Sequence, residues 1–197
     1  MKTTIIILIS FSVLFLIVQG YISITTKNTE QHNYKLVKDF SSFQIRKYEP
    51  ALFSSVKLGK KNYKGTSGEG FGILAGYIFG DNESNEKIAM TSPVVMEMGD
   101  TSKMMFMVPK AYSFKELPNP NNNRIIFEKQ DEKIVAAIQF DGWVNDTKIE
   151  KYKAILKKEL AKEKLQHTNK FTYLGYNPPY ELFNRRNEVV VELVDYE

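Results

Sequence analysis

The second half of this chain repeats the order of elements found in the first half. Alternating and helical apolar patterns predict two strands, a helix, a proline-interrupted strand and a last strand over residues 34–108. The same order is predicted over residues 124–194, and the proline breaks MTSPVV (90–95) and YNPPYEL (176–182) fall at matching places. Self-similarity at about half the domain length predicts two βαββ units related by a pseudo-twofold axis.

The predicted fold class is α+β. Two helices are expected to pack against a curved, mainly antiparallel sheet or distorted barrel, preceded by an N-terminal apolar helix. Apolar spacing places one domain helix at residues 71–79, ended by Gly80, after a flexible glycine-rich connection over residues 60–70. The other helix is expected at residues 147–164, with Asn145 or Asp146 as its N-cap.

Three strand predictions in the second unit depend on turn residues. Residues 124–129 and 133–140 are expected to pair as a hairpin. Residues 171–176 and 180–183 are expected to form one strand broken by two prolines, followed by a turn over residues 184–187.

The N-terminal segment is the most apolar part of the chain. Residues 3–26 carry no charge, and at about 1.5 Å per residue this run is long enough to cross a bilayer. We predict that residues 1–30 are a membrane anchor with its linker, which holds a domain of residues 31–197 on the extracytoplasmic side. The alternative is a signal segment cleaved near Gly20, which would leave the domain secreted or periplasmic.

Composition argues against several classes of function. The chain has no cysteine, which excludes disulfides and thiol chemistry, and its two histidines, far apart in sequence, suggest no catalytic or metal-binding constellation. We therefore expect no enzymatic activity, no catalytic residues and no metal site. The 27 basic and 23 acidic residues are too balanced to indicate a nucleic-acid partner, and a monomeric domain is expected.

An apolar ligand has more support, because six methionines lie between Met90 and Met107 and both faces of the strand at 103–108 are apolar. Methionines there, and glycines on the first domain helix, are also compatible with ordinary close packing. Arg185 is expected either in a solvated turn or paired with a carboxylate. The predicted cleft beside that helix is lined by Phe71, Leu74, Ala75, Ile78, Met90, Met105, Met107 and Arg185.

Five ordered motifs carry a resemblance to a known family. They are FQIRKYEPALF (43–53), GFGILAGYIFGDN (70–82), KIAMTSPV (87–94), FDGW (140–143) and GYNPPYELFNRRNEVVVEL (175–193). Over residues 34–194 the chain resembles the SOUL heme-binding proteins. The resemblance implies a duplicated βαββ fold. It also implies non-covalent binding of heme or another tetrapyrrole, without catalysis, by a carrier, buffer or sensor.

The chain departs from that family at positions proposed to contact heme. Lys47 stands where some members have a histidine, Gly68 and Gly76 stand where others have basic residues on the first helix, and Glu181 replaces a further basic residue. The alternative is an effector-sensing or protein-interaction domain without heme, since the plan also resembles the effector-binding domains of bacterial transcription regulators. A cationic effector would be expected near Glu69.

Overall fold

The computed structural model describes residues 2–59, 62–99 and 101–196. Over these residues the chain forms three helices and nine strands. In chain order they are α1 (Lys2–Asn28), β1 (Tyr34–Asp39), β2 (Gln44–Tyr48), β3 (Ala51–Leu58), α2 (Tyr63–Ile78), β4 (Val94–Glu97), β5 (Ser102–Met107), β6 (Ile125–Gln130), β7 (Lys133–Asp141), α3 (Asp146–Lys162), β8 (His167–Gly175) and β9 (Arg186–Leu193).

The strands form one antiparallel, curled half-barrel sheet in the order β1-β2-β7-β9-β8-β4-β5-β3-β6. Without β1, this order is symmetric about the β8–β4 pair, since exchange of the two units maps β2 onto β6, β7 onto β3, β9 onto β5 and β8 onto β4. The predicted α+β class and the duplication are therefore confirmed. The pseudo-twofold axis passes through the centre of the sheet, where Val95 is opposite Leu174.

The hairpin predicted for residues 124–140 is wrong. β6 pairs with β3, with Ser54 opposite Phe127, whereas β7 pairs with β2 and β9. β6 therefore pairs with a strand of the first unit, and although only a short turn joins it to β7, five strands separate the two in the sheet order.

α2 begins eight residues earlier than predicted. Asn62 caps it by accepting a hydrogen bond from the Gly65 amide, and Asp146 at the start of α3 accepts a hydrogen bond of 2.6 Å from the Tyr63 amide. The predicted flexible connection is thus wrong from residue 62 onward, and its residues 60 and 61 lie outside the described part. Gly80 ends the helix with φ +114°, as predicted.

Two further segments test the local predictions. α3 is confirmed, with Asn145 as its N-cap and Ile149, Leu156 and Leu160 on its buried side.

Residues 180–183 are not a strand. The chain from 176 to 185 is irregular, and β9 begins at Arg186 rather than after a turn over residues 184–187.

The sheet buries apolar residues on both faces because its strands alternate. The main core lies between α2, α3 and the sheet and includes Leu74, Met96, Met104, Phe106 and Leu156. On the opposite face two smaller clusters form around Val190 and around Phe53.

α1 is long and apolar enough to span a membrane on length and composition alone, a test that a cleavable signal sequence also passes. Its residues 3–18 are exposed throughout, whereas Gln19, Ile22, Ser23 and Thr26 are half-buried. Only the last part of α1 therefore packs on the domain.

Candidate functional site

The predicted cleft residues of α2 divide between its inner side and its flank. Leu74, Ala75 and Ile78 are buried in the core beneath the helix. Phe71 is half-buried, and its ring meets that of Phe106 edge-on with centroids 5.4 Å apart. Of these four residues, Phe71 is therefore the one that a ligand on the surface could reach.

The predicted methionines do not lie together. Met105 and Met107 are buried with Phe53 on the sheet face away from the helices, because β5 alternates and directs Met104 and Phe106 toward α2. Met90 is half-buried on the helix side. The structure thus leaves Phe71 and Met90 accessible on the α2 side and separates them from the other two methionines.

The outer side of α2 is open. Lys64, Gly68, Phe71 and Gly72 share one side of the helix at spacings of four, three and one residues. Apart from the flanking residues and the backbone of α2 itself, no heavy atom of the described residues lies within 4 Å of the position that a Cβ would take at Gly68 or Gly72. A flat ligand could therefore approach the backbone of α2 closely there.

Gly70, on the inner side of α2, has a different role. A Cβ at this position would lie 2.8 Å from Leu58 Cδ1 and 3.1 Å from Met104 Cβ. Glycine at this position lets the helix approach β3 and β5 closely. Such close packing is what we expected of the glycines in this helix. Close packing therefore explains the glycine on the inner side of α2, and the glycines on its outer side leave room for a ligand.

An apolar flank adjoins the open side of α2. β4 and β5 run antiparallel with Val95 opposite Met105, so Val94 lies next to Phe106 on the helix-facing side of the sheet. Val94 is half-buried, as is Tyr63 at the start of α2, whose ring is 5.2 Å from that of Tyr173. Sequence reasoning missed Lys64 and Tyr63 because it placed them in a flexible loop.

Arg185 is buried and does not lie in a solvated turn. Its guanidinium donates to the carbonyl oxygens of Pro178 at 2.9 Å and Glu181 at 2.6 Å, and it stacks 4.2 Å from the centroid of Trp143. The side chain shapes the loop between β8 and β9, so neither of the two predicted roles describes it.

The family-like motifs meet in a buried ionic network on the far face of the sheet. The Glu188 carboxylate, which is 0% exposed, accepts hydrogen bonds of 2.7 Å from both Arg46 and Arg186, and one of 3.0 Å from the Tyr176 hydroxyl. Desolvation lowers the pKa of Arg46, but the charge of Glu188 outweighs this effect and holds that pKa above its ordinary value. Burial, reinforced by Glu188, raises the pKa of Tyr176. These motif residues therefore link β2, β9 and the segment after β8 rather than form an open ligand site.

The MTSPV motif also has a structural role. The Thr91 hydroxyl donates to the Met107 carbonyl at 2.6 Å, and the Ser92 hydroxyl donates to the Tyr176 carbonyl at 3.3 Å. The backbone of Ser92 exchanges hydrogen bonds with Glu30 and His32, and the Ser92–Pro93 bond is cis. The motif therefore joins the segment after α1 to the centre of the sheet.

Neither histidine lies beside the open side of α2. His32 Nε2 is 2.7 Å from the Glu49 carbonyl oxygen, in a cavity of about 40 Å³ on the far face of the sheet that also contacts Tyr48 and Phe53. Burial lowers the pKa of His32, which favours the neutral ring. The cavity has room for a water molecule but not for a porphyrin.

A second opening lies between the end of α3 and β8. It is a surface groove of about 700 Å³ lined by Lys157, Lys158, Ala161, Lys164, Leu165, Gln166, His167 and Asn169. Burial and the charge of Lys157 lower the pKa of His167, whose Nδ1 accepts a hydrogen bond from the Asn169 amide. Only Ala161 and Leu165 of these residues are apolar, so the groove lacks the apolar wall that a porphyrin face needs.

Metal coordination by side chains has no support in the described residues. Within residues 2–59, 62–99 and 101–196, no group of three or more His, Cys, Asp or Glu could hold a metal ion. Lys47, which stands where some family members have a histidine, forms an ion pair of 2.7 Å with Glu132.

Comparisons with known proteins agree with the motifs. The family model described as SOUL heme-binding protein matches residues 29–192. The chain is 30% identical to heme-binding protein 1 of Xenopus laevis, over 81% of this chain and 90% of that protein. It is 31% identical to heme-binding protein 2 of Homo sapiens, over 75% of this chain and 76% of that protein.

A solved structure shares the fold at low sequence identity. The EcmrR C-terminal domain superposes with a TM-score of 0.59 at 8% identity, over 83% of this chain and 99% of that one. This likeness concerns the fold alone, whereas the sequence match spans nearly the whole domain. The chain therefore belongs to the SOUL heme-binding protein family.

Proposed function

We propose that this domain binds heme or a related tetrapyrrole non-covalently and without catalysis, as a carrier, buffer or sensor. The proposed site is the open side of α2. The observation that carries the proposal is the uncovered backbone at Gly68 and Gly72 beside the half-exposed ring of Phe71. It is supported by the family to which the chain belongs.

The residues around this site fit the chemistry of a porphyrin. Phe71 and Val94 offer apolar surface to the macrocycle, while the glycines let its plane approach the helix. Lys64 is exposed one turn before Gly68 on the same side of α2, where its ammonium group would pair with a propionate. Since both histidines lie elsewhere, the proposed site contacts the flat face of the heme and the heme propionates.

The expected result is a saturable Soret shift when the full chain, in detergent micelles, is titrated with hemin to an equimolar end point. His32→Ala and Lys47→Ala should leave this shift intact, because neither side chain lies at the α2 site. An unrelated basic membrane protein in the same micelles is the control, and an identical spectrum from it would refute heme binding.

The same preparation addresses the alternative of an effector-sensing domain. Glu69, the expected partner of a cationic effector, is already 2.9 Å from the Arg124 guanidinium. This pair disfavours a hydrophobic cation as the ligand. A rise in melting temperature with tetraphenylphosphonium and none with hemin would support the alternative over our proposal.

We also infer that α1 remains attached and anchors the domain at the outer face of the cytoplasmic membrane. Lys2 before the apolar run is the charge that favours an internal N-terminus, and the run is longer than a signal peptide requires. Mass spectrometry of natively expressed protein should find an N-terminus at Met1 or Lys2 in the membrane fraction. A soluble chain that begins near Tyr21 would contradict the anchor and support a secreted or periplasmic domain.

A further inference from the structure

We propose that the loop of residues 178–183 inserts into the interface of the bilayer that α1 crosses, so that the domain lies directly on the membrane. The inference rests on the proposal that α1 stays attached as an anchor. It concerns a different surface from the tetrapyrrole site, and it commits to lipid as the partner of this loop.

The loop presents apolar side chains to the outside. Tyr180 is 62% exposed, Leu182 41% and Phe183 53%. Trp143, also exposed, lies beside the loop because its ring stacks on Arg185, which binds the loop carbonyls. Tyrosine and tryptophan favour the interface between headgroups and acyl chains, since each ring has an apolar body and one polar atom.

The polar groups of the loop are turned inward. Glu181, the one charged residue in the segment, is 2% exposed, and its carboxylate accepts a hydrogen bond of 2.8 Å from Asn177. Arg185 donates to the carbonyl oxygens of Asn177, Pro178 and Glu181. Because these carbonyl oxygens already accept hydrogen bonds, they add less to the free-energy cost of moving the loop into a medium without water.

α1 determines the height of the loop relative to a membrane. Gln19 Nε2 donates to the Tyr180 carbonyl oxygen at 3.2 Å, and the Leu182 amide donates to Gln19 Oε1 at 3.1 Å. The loop is therefore held at the level of Gln19 by hydrogen bonds in both directions.

The length of the exposed part of α1 places the membrane surface near Gln19. Residues 3–18 project from the domain, and at about 1.5 Å per residue they span about 24 Å. The hydrocarbon core is about 30 Å thick, so a helix that enters it at Thr3 needs about four residues beyond Val18. Gln19 then lies about 5 Å inside the edge of the hydrocarbon, and the backbone of Tyr180 and Leu182, which is hydrogen-bonded to it, lies at a similar depth.

The test uses the full chain in phosphatidylcholine vesicles that contain nitroxide-labelled lipid. The chain has a single tryptophan, so in a Trp143→Phe background an introduced tryptophan is the only fluorescent reporter of its kind. Leu182→Trp should show blue-shifted emission that is quenched by a nitroxide near the headgroup, and Phe183→Trp provides a second reporter at the same loop. Lys162→Trp, at the last residue of α3 and about 25 Å along that helix from its first residue, is the control and should not be quenched.

The outcomes separate the two proposals. Release of the chain by alkaline carbonate overturns the anchor and, with it, this inference. In another outcome, the chain stays in carbonate-washed vesicles while neither loop reporter is quenched more than Lys162→Trp. That result overturns the loop inference but leaves the anchor in place. Hemin titration of the same vesicles reports on the tetrapyrrole site separately, because neither reporter lies on α2.

Discussion

Replacement of Glu188 by alanine is expected to lower the free energy of unfolding by about 3–5 kcal/mol. The carboxylate is fully buried and is hydrogen-bonded to Arg46, which is itself 3% exposed. Removing one partner leaves the Arg46 charge buried without its counterion, and that cost exceeds the modest net value of the intact pair. Urea denaturation followed by circular dichroism in detergent measures the change.

Glu132→Ala is the matched control, because Glu132 also pairs with a basic residue at 2.7 Å but both partners are exposed. Its expected cost is about 0–1 kcal/mol. The double variant Arg46→Met/Glu188→Leu should be more stable than Glu188→Ala, since it removes both charges together. Equal losses for Glu188→Ala and Glu132→Ala would contradict the prediction that the buried Arg46 charge is costly without its counterion.

Replacement of Gly72 by leucine is expected to weaken hemin binding at least about tenfold without loss of stability. The new side chain would occupy the space in which the tetrapyrrole is proposed to lie, and among the described residues no atom is close enough to clash with its Cβ. Because glycine disfavours a helix by about 1 kcal/mol, the variant should be as stable as the parent or slightly more stable. Hemin titration and thermal unfolding of the same sample measure both effects.

Two controls define this prediction. Ala154→Leu adds a leucine to the exposed side of α3 and should leave hemin affinity unchanged. Gly70→Ala, two residues away on the inner side of α2, should destabilise the domain because Leu58 and Met104 would have to move. Unchanged hemin affinity in Gly72→Leu would place the ligand elsewhere on the domain.

Part of the site could be predicted from the sequence and part could not. The apolar pattern identified Phe71 and Met90, which the structure leaves accessible beside α2. It could not assign Met105 and Met107 to the far face, because both faces of β5 are apolar and either could have met the helix. Lys64 was missed because the glycines around it disfavour a helix locally.

The sequence by itself determined the features that depend on local patterns. α1 and α3 follow from apolar runs and periodicity, and the duplication follows from the repeated order of elements with matching proline breaks. Apolar spacing over a few residues reports which side of an element is buried, and this signal does not require knowledge of the rest of the chain.

Only the tertiary structure decided which elements meet. β6 pairs with β3 rather than with its neighbour β7, and Glu188 meets Arg46 across 142 positions of sequence. α2 extends back to Tyr63 because packing of Gly70 on Leu58 and Met104 outweighs the cost of glycine in a helix. Pairing partners and close contacts between distant segments have no local signature, since their free energy depends on residues that only the folded chain brings together.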